Sequence, residues 1–183
     1  DCDYLFITLG TAWIYRRIET GEIVANCHKV PASFFNRSRE SVVNIVSVIS
    51  NMVTQLKAFN PDLQIVFTVS PIRHWRDGAH DNQISKSSLL LSIEEIQEQW
   101  SNIHYFPAYE ILLDELRDYR FYASDMLHPS EVAVNYIWQR FTSWAFTPEA
   151  LKFAQEWERT ERDLAHRPFN PDSDAHKAFL EKV

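Results

Sequence analysis

Apolar positions along the chain follow two rhythms. Tyr4–Leu9 is a short, nearly continuous apolar run halted by Gly10, the pattern of a strand buried on both faces. Gln64–Val69 is a second run, rich in β-branched residues and stopped by Ser70-Pro71, and Asn102–Phe106 is a shorter third. Between the first two the spacing turns helical. Val42, Ile45, Val46, Ile49, Met52, Val53, Leu56 and Phe59 keep one face from Glu40 to Phe59, with Ser38 as the expected cap and Asn60-Pro61 as the stop. Further helices are expected over Ser85–Trp100, Pro107 to about Tyr119, Pro129 to about Phe146, and from Pro148, capped by Thr147, to about His166. Arg167–Pro171 breaks the last of these, and 172–183 can form one more. The stretch from Trp13 to about Ser38 shows no clear period.

Strands alternating with helices imply a right-handed α/β fold with a parallel sheet and helices on both faces. Ligands in such sheets bind beyond the carboxyl ends of the strands. The Gly10 turn, the polar Ser70–Asn82 loop and the turn before the Pro129 helix should therefore meet at one edge. Residues 1–146 form the expected α/β domain. Residues 147–183, charged and amphipathic, are expected to be a helical C-terminal extension.

Composition narrows the function. A chain of 183 residues with 45% hydrophobic side chains can bury one substantial core. A formal net charge of −7 argues against a nucleic-acid partner, which calls for a basic stripe. Three glycines, Gly10, Gly21 and Gly78, cannot build a phosphate-cradling loop. Cys2 and Cys27 are too few for a disulfide framework and are expected to be ordinary thiols. No apolar run is read as long enough to cross a bilayer, so no membrane partner is expected. The chain opens on Asp1-Cys2-Asp3-Tyr4, without methionine and directly into a strand. It reads as a fragment, so localisation cannot be taken from its start; a cytoplasmic place is slightly favoured.

The candidate chemistry centres on Asp125-Met126-Leu127-His128-Pro129. A histidine acting as a base needs one tautomer, and a carboxylate accepting from one ring nitrogen fixes it and stabilises the imidazolium. Asp-x-x-His occurs three times. Asp77/His80 falls in a polar loop and Asp163/His166 on a charged helical face; only Asp125/His128 joins a turn to an apolar helix. The plain alternative is that Ser124 or Asp125 caps that helix and His128 merely packs there. In the polar loop, Arg73 suits a substrate carboxylate or phosphate, or else a structural ion pair. His74, Asp77 and His80 could converge on a metal, but no metal site is expected, because first-row metals want a defined ligand set. Ser70 is disfavoured as a nucleophile, since a serine before proline lacks the strand–turn–helix elbow. Asn26 and His28, on either side of Cys27, do not share a face with it, though either could reach a site singly.

Several stretches together carry a family resemblance: Thr8-Leu9-Gly10-Thr11-Ala12-Trp13, Asn26-Cys27-His28, Thr68–Trp75, and Asp118–Tyr122 through Asp125–Pro129. On these the chain resembles, over roughly residues 4–145, the bacterial GSCFA domain, a branch of the SGNH/GDSL hydrolase-like superfamily. The resemblance implies a flavodoxin-like three-layer α/β/α fold and chemistry similar to ester hydrolases and O-acyltransferases. The superfamily's last block, Asp-x-x-His, maps onto Asp125 and His128. Two departures stand out. The Gly-Ser-Cys-Phe-Ala motif, whose serine looks like the nucleophile, is absent; Tyr4–Leu9 would then be the third strand, with the first two and the serine upstream. The Gly-x-Asn-Asp block is replaced by Gly10-Thr11-Ala12-Trp13, with no amide at Ala12. Losing such an oxyanion donor typically costs about 3 kcal/mol. Asn26 or backbone N–H groups would have to serve.

The resemblance thus implies a serine esterase or O-acyltransferase acting on acyl esters, carbohydrate esters among them. His128 and Asp125 would be catalytic, and Gly10, Thr11, Asn26, Ser70, Arg73 and His74 the substrate-binding or oxyanion candidates. Such chemistry needs no cofactor. The alternative is a non-catalytic binding module on the same fold. With its neighbour missing, the first strand is also an expected edge for homo-oligomerisation.

Overall fold

The computed structural model describes residues 2–24, 26–27 and 29–165. In chain order its elements are β1 (Tyr4–Leu9), β2 (Trp13–Arg17), β3 (Ile23–Val24), β4 (Phe35–Arg39), α1 (Val42–Phe59), β5 (Gln64–Val69), α2 (Gly78–Gln99), β6 (Ile103–Tyr105), α3 (Ala108–Glu110), α4 (Glu131–Ala145) and α5 (Pro148–Ala165). The chain divides into two compact units, Asp1–Val134 and Asn135–Val183.

In the first unit the three apolar runs form a parallel sheet in the order β1-β5-β6. Leu5 pairs with Ile65 and Leu9 with Val69, and Ile65 pairs in turn with Ile103. The sheet is flanked by helices. Leu5, Ile7 and Leu9 of β1 pack with Ile65, Phe67 and Val69 of β5 against Ile49 and Val53 of α1 and Leu89, Ile93 and Ile96 of α2. β5, in the middle, is buried on both faces. β1 is the edge strand and is covered on one face only, leaving Tyr4 and Phe6 exposed on the other.

A small antiparallel sheet, β3-β2-β4, occupies the stretch where no period was legible. Its strands are short and carry arginines. What holds it is an aromatic–cation layer: the Arg37 guanidinium lies 4.1 Å from the Trp13 ring centroid and within 5.6 Å of Tyr15. Both Asp77 carboxylate oxygens accept from Arg37, at 2.5 and 2.6 Å. This bidentate pair ties the sheet to the turn before α2.

Three boundaries depart from the sequence expectation. Ser38 lies inside β4; the cap of α1 is Ser41, whose hydroxyl accepts from Asn44 N–H at 3.2 Å. α2 begins at Gly78, not Ser85, so the Gly78–Asn82 part of the expected loop belongs to its start. The expected Pro107–Tyr119 helix is α3 continued by one π-helical turn, Ile111–Glu115, closed by Leu116 N–H donating to Ile111 carbonyl at 2.9 Å. The reading that no apolar run is long enough to cross a bilayer needs correcting. By length and composition alone, α1 is apolar enough to cross a bilayer. It nevertheless carries Asn44, Asn51, Gln55 and Lys57, and it packs one face on the sheet.

The second unit holds the rest of α4 and α5. Trp138 stacks on Phe141 at 5.6 Å between centroids, and Phe146 meets both edge-on at 6.2 Å. Thr147 caps α5 as expected, its hydroxyl accepting from Ala150 N–H at 3.2 Å, with Pro148 in the first helical position. The expected helix over 172–183 lies outside the described residues.

The Arg37–Asp77 pair gives a direct test of the small sheet. Half-withdrawn from water, Arg37 lowers the Asp77 pKa below the usual carboxylate range, chiefly through their hydrogen bonds. Asp77→Asn should cost roughly 2 kcal/mol, as for hydrogen bonds to charged groups, read from the urea midpoint at pH 7. Because the native pKa is depressed, the stabilisation is present above the unfolded carboxylate value and is lost as pH falls through the lower native one. The difference between wild type and variant should therefore shrink in acid.

Candidate active site

The carboxyl edge of the parallel sheet is knitted by a lysine. Lys86, on the third turn of α2, is wholly buried and donates to the carbonyls of Gly10 and Ser70, both at 2.6 Å. These carbonyls lie just past the ends of β1 and β5. Ser70 N–H donates to Leu9 carbonyl at 2.9 Å, completing the join. Neighbouring Ser85 accepts from Ala12 N–H at 2.8 Å and shares a hydrogen bond with Thr11 at 3.0 Å. Burial lowers the Lys86 pKa to about 8. No carboxylate pairs with it among the described residues.

His74 stands over this edge. A methyl group at Gly10 would sit 3.8 Å from its Nε2. Its backbone N–H donates to the Asn82 side chain at 2.9 Å, pinning the loop to α2. Desolvation, then the nearby Lys86 charge, lower the His74 pKa and favour the neutral ring. Gly10, Thr11, Ser70 and His74 are thus brought together. The Ser70 hydroxyl accepts from Ile72 N–H at 3.3 Å, a local turn contact rather than a pairing with imidazole. Asn26 is exposed just past β3, and His28 lies outside the described residues.

Asp125 and His128 sit on a loop closed like a hairpin. Tyr122 and Pro129 form an antiparallel bridge, Ala123 N–H donates to His128 carbonyl at 2.7 Å, and Ser130 N–H to Phe121 carbonyl at 2.8 Å. Inside it, Met126 takes a positive φ of 60°, a conformation costing roughly 1 kcal/mol for a residue with a Cβ. One Asp125 oxygen accepts from the N–H groups of Leu127 and His128, each at 2.9 Å. The other meets His128 Nδ1 at 2.6 Å. The backbone bonds first, and the ring second, lower the Asp125 pKa to about 2. A carboxylate so ionised can only accept, so Nδ1 carries the proton and Nε2 is left as the basic nitrogen. That nitrogen has no hydrogen-bond partner among the described residues. Both side chains are about half exposed, so His128 is not a core histidine. Nor does Asp125 or Ser124 cap the following helix. Pro129 is in the bridge, α4 starts at Glu131, and Ser130 supplies the cap, accepting from Ala133 N–H at 3.4 Å.

The loop after β5 reaches this hairpin through Arg73. Its guanidinium lies 5.4 Å from the Tyr122 ring centroid and 3.5 Å from the Tyr122 hydroxyl. The other two Asp-x-x-His pairs are not alike. Asp77 is committed to Arg37, while His80 is exposed on the first turn of α2. His166 lies outside the described residues. Among the described residues no three His, Cys, Asp or Glu side chains could hold a metal, so His74, Asp77 and His80 do not converge on one.

Sequence reasoning missed Lys86 because it sits in a polar stretch. The signal was there: Asn82, Ser85, Lys86, Leu89, Ile93 and Ile96 recur at helical spacing, and all are buried. Lys86 should lose its proton near pH 8, visible as a displaced lysine ¹³Cε titration. Its native pKa is below the unfolded value near 10.5, so over the window from about 8 to 10.5 the unfolded chain binds more protons and stability should rise with pH. In Lys86→Met that rise should be absent.

Two family models match the sequence: the GSCFA family over residues 1–141, and the C-terminal domain of GSCFA domain proteins over residues 157–183. No curated protein and no solved structure matches. With three quarters of its length covered by the first model, the chain belongs to the GSCFA family, which is related to the SGNH hydrolases.

Proposed function

We propose that this chain supplies the acid–base half of an SGNH-type serine esterase or O-acyltransferase with a flavodoxin-like three-layer fold. The observation that carries this reading is the Asp125–His128 contact of 2.6 Å, with Nδ1 protonated, Asp125 anchored by two backbone N–H groups, and Nε2 without a hydrogen-bond partner among the described residues. A serine hydroxyl attacks the acyl carbonyl while Nε2 takes its proton. The tetrahedral intermediate expels the alcohol, which receives that proton. Water or an acceptor hydroxyl, deprotonated by the same nitrogen, then releases the acyl group from the serine. Asp125 orients the ring and stabilises the imidazolium.

The serine is proposed to come from a Gly-Ser-Cys-Phe-Ala block upstream of residue 1, since this sequence holds no Gly-Ser pair. Ser70 is turned to its own loop. Oxyanion donors are proposed at the carboxyl edge. Ala12 N–H is taken by Ser85 and Trp13 N–H by Thr11, which leaves the N–H groups of Gly10 and Thr11, with Asn26 as a side-chain candidate. The proposed substrate is an acyl ester, a carbohydrate ester among the candidates. α5, Pro148–Ala165, is proposed to belong to a helical appendage. The edge of β1, bearing exposed Tyr4 and Phe6, is the proposed route to homo-oligomers.

One observation favours a second reading, a binding module without catalysis. Where the superfamily has its oxyanion asparagine, Ala12 is buried and offers no side-chain donor.

Turnover of short-chain aryl esters or acetylated sugars by the protein extended to include the serine decides between them. His128→Ala should abolish it. Asp125→Asn should lower kcat by about 10⁴-fold, as loss of the orienting carboxylate does in serine proteases. His80→Ala should change little. The 183-residue chain alone should show no turnover, and substantial hydrolysis by it would redirect attention to Ser70.

A further inference from the structure

Arg73, beside the Asp125/His128 hairpin, takes no part in the acyl-transfer steps themselves. It is partly withdrawn from water and flanked by two aromatic rings, Trp75 at 5.9 Å and Tyr122 at 5.4 Å. Its only hydrogen bond among the described residues is the long one to the Tyr122 hydroxyl. Among the described residues no carboxylate pairs with it, although other arginines find theirs: Arg37 with Asp77, Arg120 with Asp118. A guanidinium held on aromatic faces with its fork open is shaped for a planar or tetrahedral oxyanion.

The surroundings fit. Arg73 lines a recess of about 100 Å³ with Leu113, Arg117, Asp118, Tyr119 and Tyr122. That volume admits one small charged group rather than a sugar ring. The carboxylate in the wall is already spent, since Asp118 accepts from the Arg120 backbone at 2.9 Å and its guanidinium at 3.0 Å. Arg117 contributes a second positive charge, loosely paired with exposed Asp114 at 3.5 Å. The π-helical turn Ile111–Glu115 carries Leu113 and immediately precedes Leu116 and Arg117. Tyr122 belongs to the bridge that closes the Asp125/His128 loop.

We propose that this recess anchors a phosphate or carboxylate of the substrate, so that the ester acted upon is anionic and Arg73 is its specificity-determining residue. This rests on the hydrolase or transferase reading of His128 but is tested separately from it.

The 183-residue chain is titrated with inorganic phosphate and, separately, with acetate, at constant ionic strength set by chloride, following arginine ¹⁵Nε and tyrosine ring resonances. Saturable shifts of Arg73 and Tyr122 with either anion are expected, and the tighter of the two names the group. Arg73→Gln should weaken the binding at least tenfold, Arg73→Lys should restore only part of it, and Arg117→Gln should weaken it several-fold. His128→Ala should still bind the anion. In the extended protein, Arg73→Gln should lower the preference for an anionic over a neutral aryl ester at least tenfold, read as the ratio of their kcat/KM values, whereas His128→Ala should abolish turnover of both. Shifts that fail to saturate with both anions, or that survive in a folded Arg73→Gln protein, overturn the anchor. An unchanged ester preference does so too, and leaves the role of His128 standing.

Discussion

The carboxyl edge of the sheet depends on a lysine ammonium between two carbonyls. Lys86 is held at 2.6 Å from both Gly10 and Ser70 and has no solvent contact. Gly10 and Ser70 lie just past the ends of β1 and β5, and their carbonyls need a donor from outside the strand ladder. The ammonium satisfies both at once, and Ser85 beside it satisfies the Ala12 N–H. The two turns that leave the sheet are thereby fixed to one helix. That same helix carries Asn82, which fixes the loop bearing His74. A burial so costly for a charge persists because it organises several backbone groups together.

The large features were legible because they follow from burial periodicity alone. β1, β5 and β6 are apolar runs, and α1 has an apolar face at helical spacing, so each declares itself without knowledge of its neighbours. The antiparallel sheet does not. Trp13, Tyr15 and Arg37 share a face only because Asp77, forty residues beyond Arg37, holds the guanidinium over the rings. The start of α2 was hidden for a related reason. Its first turns are polar because they satisfy backbone groups of other elements. Lys86 was hidden for the same reason, since a lysine in such a stretch looks solvated until its partners are known.

At the candidate site, the pairing of Asp125 with His128 could be anticipated, for both ends lie within one turn. Its context could not. Pro129 was expected to open a helix and instead closes a bridge, leaving Ser130 to cap α4. A proline fits both places by its fixed φ, and only the pairing with Tyr122 decides. Membership of the GSCFA family agrees with the motif reading but adds no substrate.

The Asp125–His128 contact has one more property. Its residues are three apart, and the backbone bonds that close its loop run between Phe121 and Ser130. Loop closure over so few residues costs little entropy, so the pair draws most of its geometry from its own stretch of chain. It behaves as a self-contained cartridge. A protein could lose its nucleophile, or exchange its substrate pocket, and still keep the cartridge intact. What separates a working enzyme from a silent relative would be whatever is delivered to the free face of the imidazole.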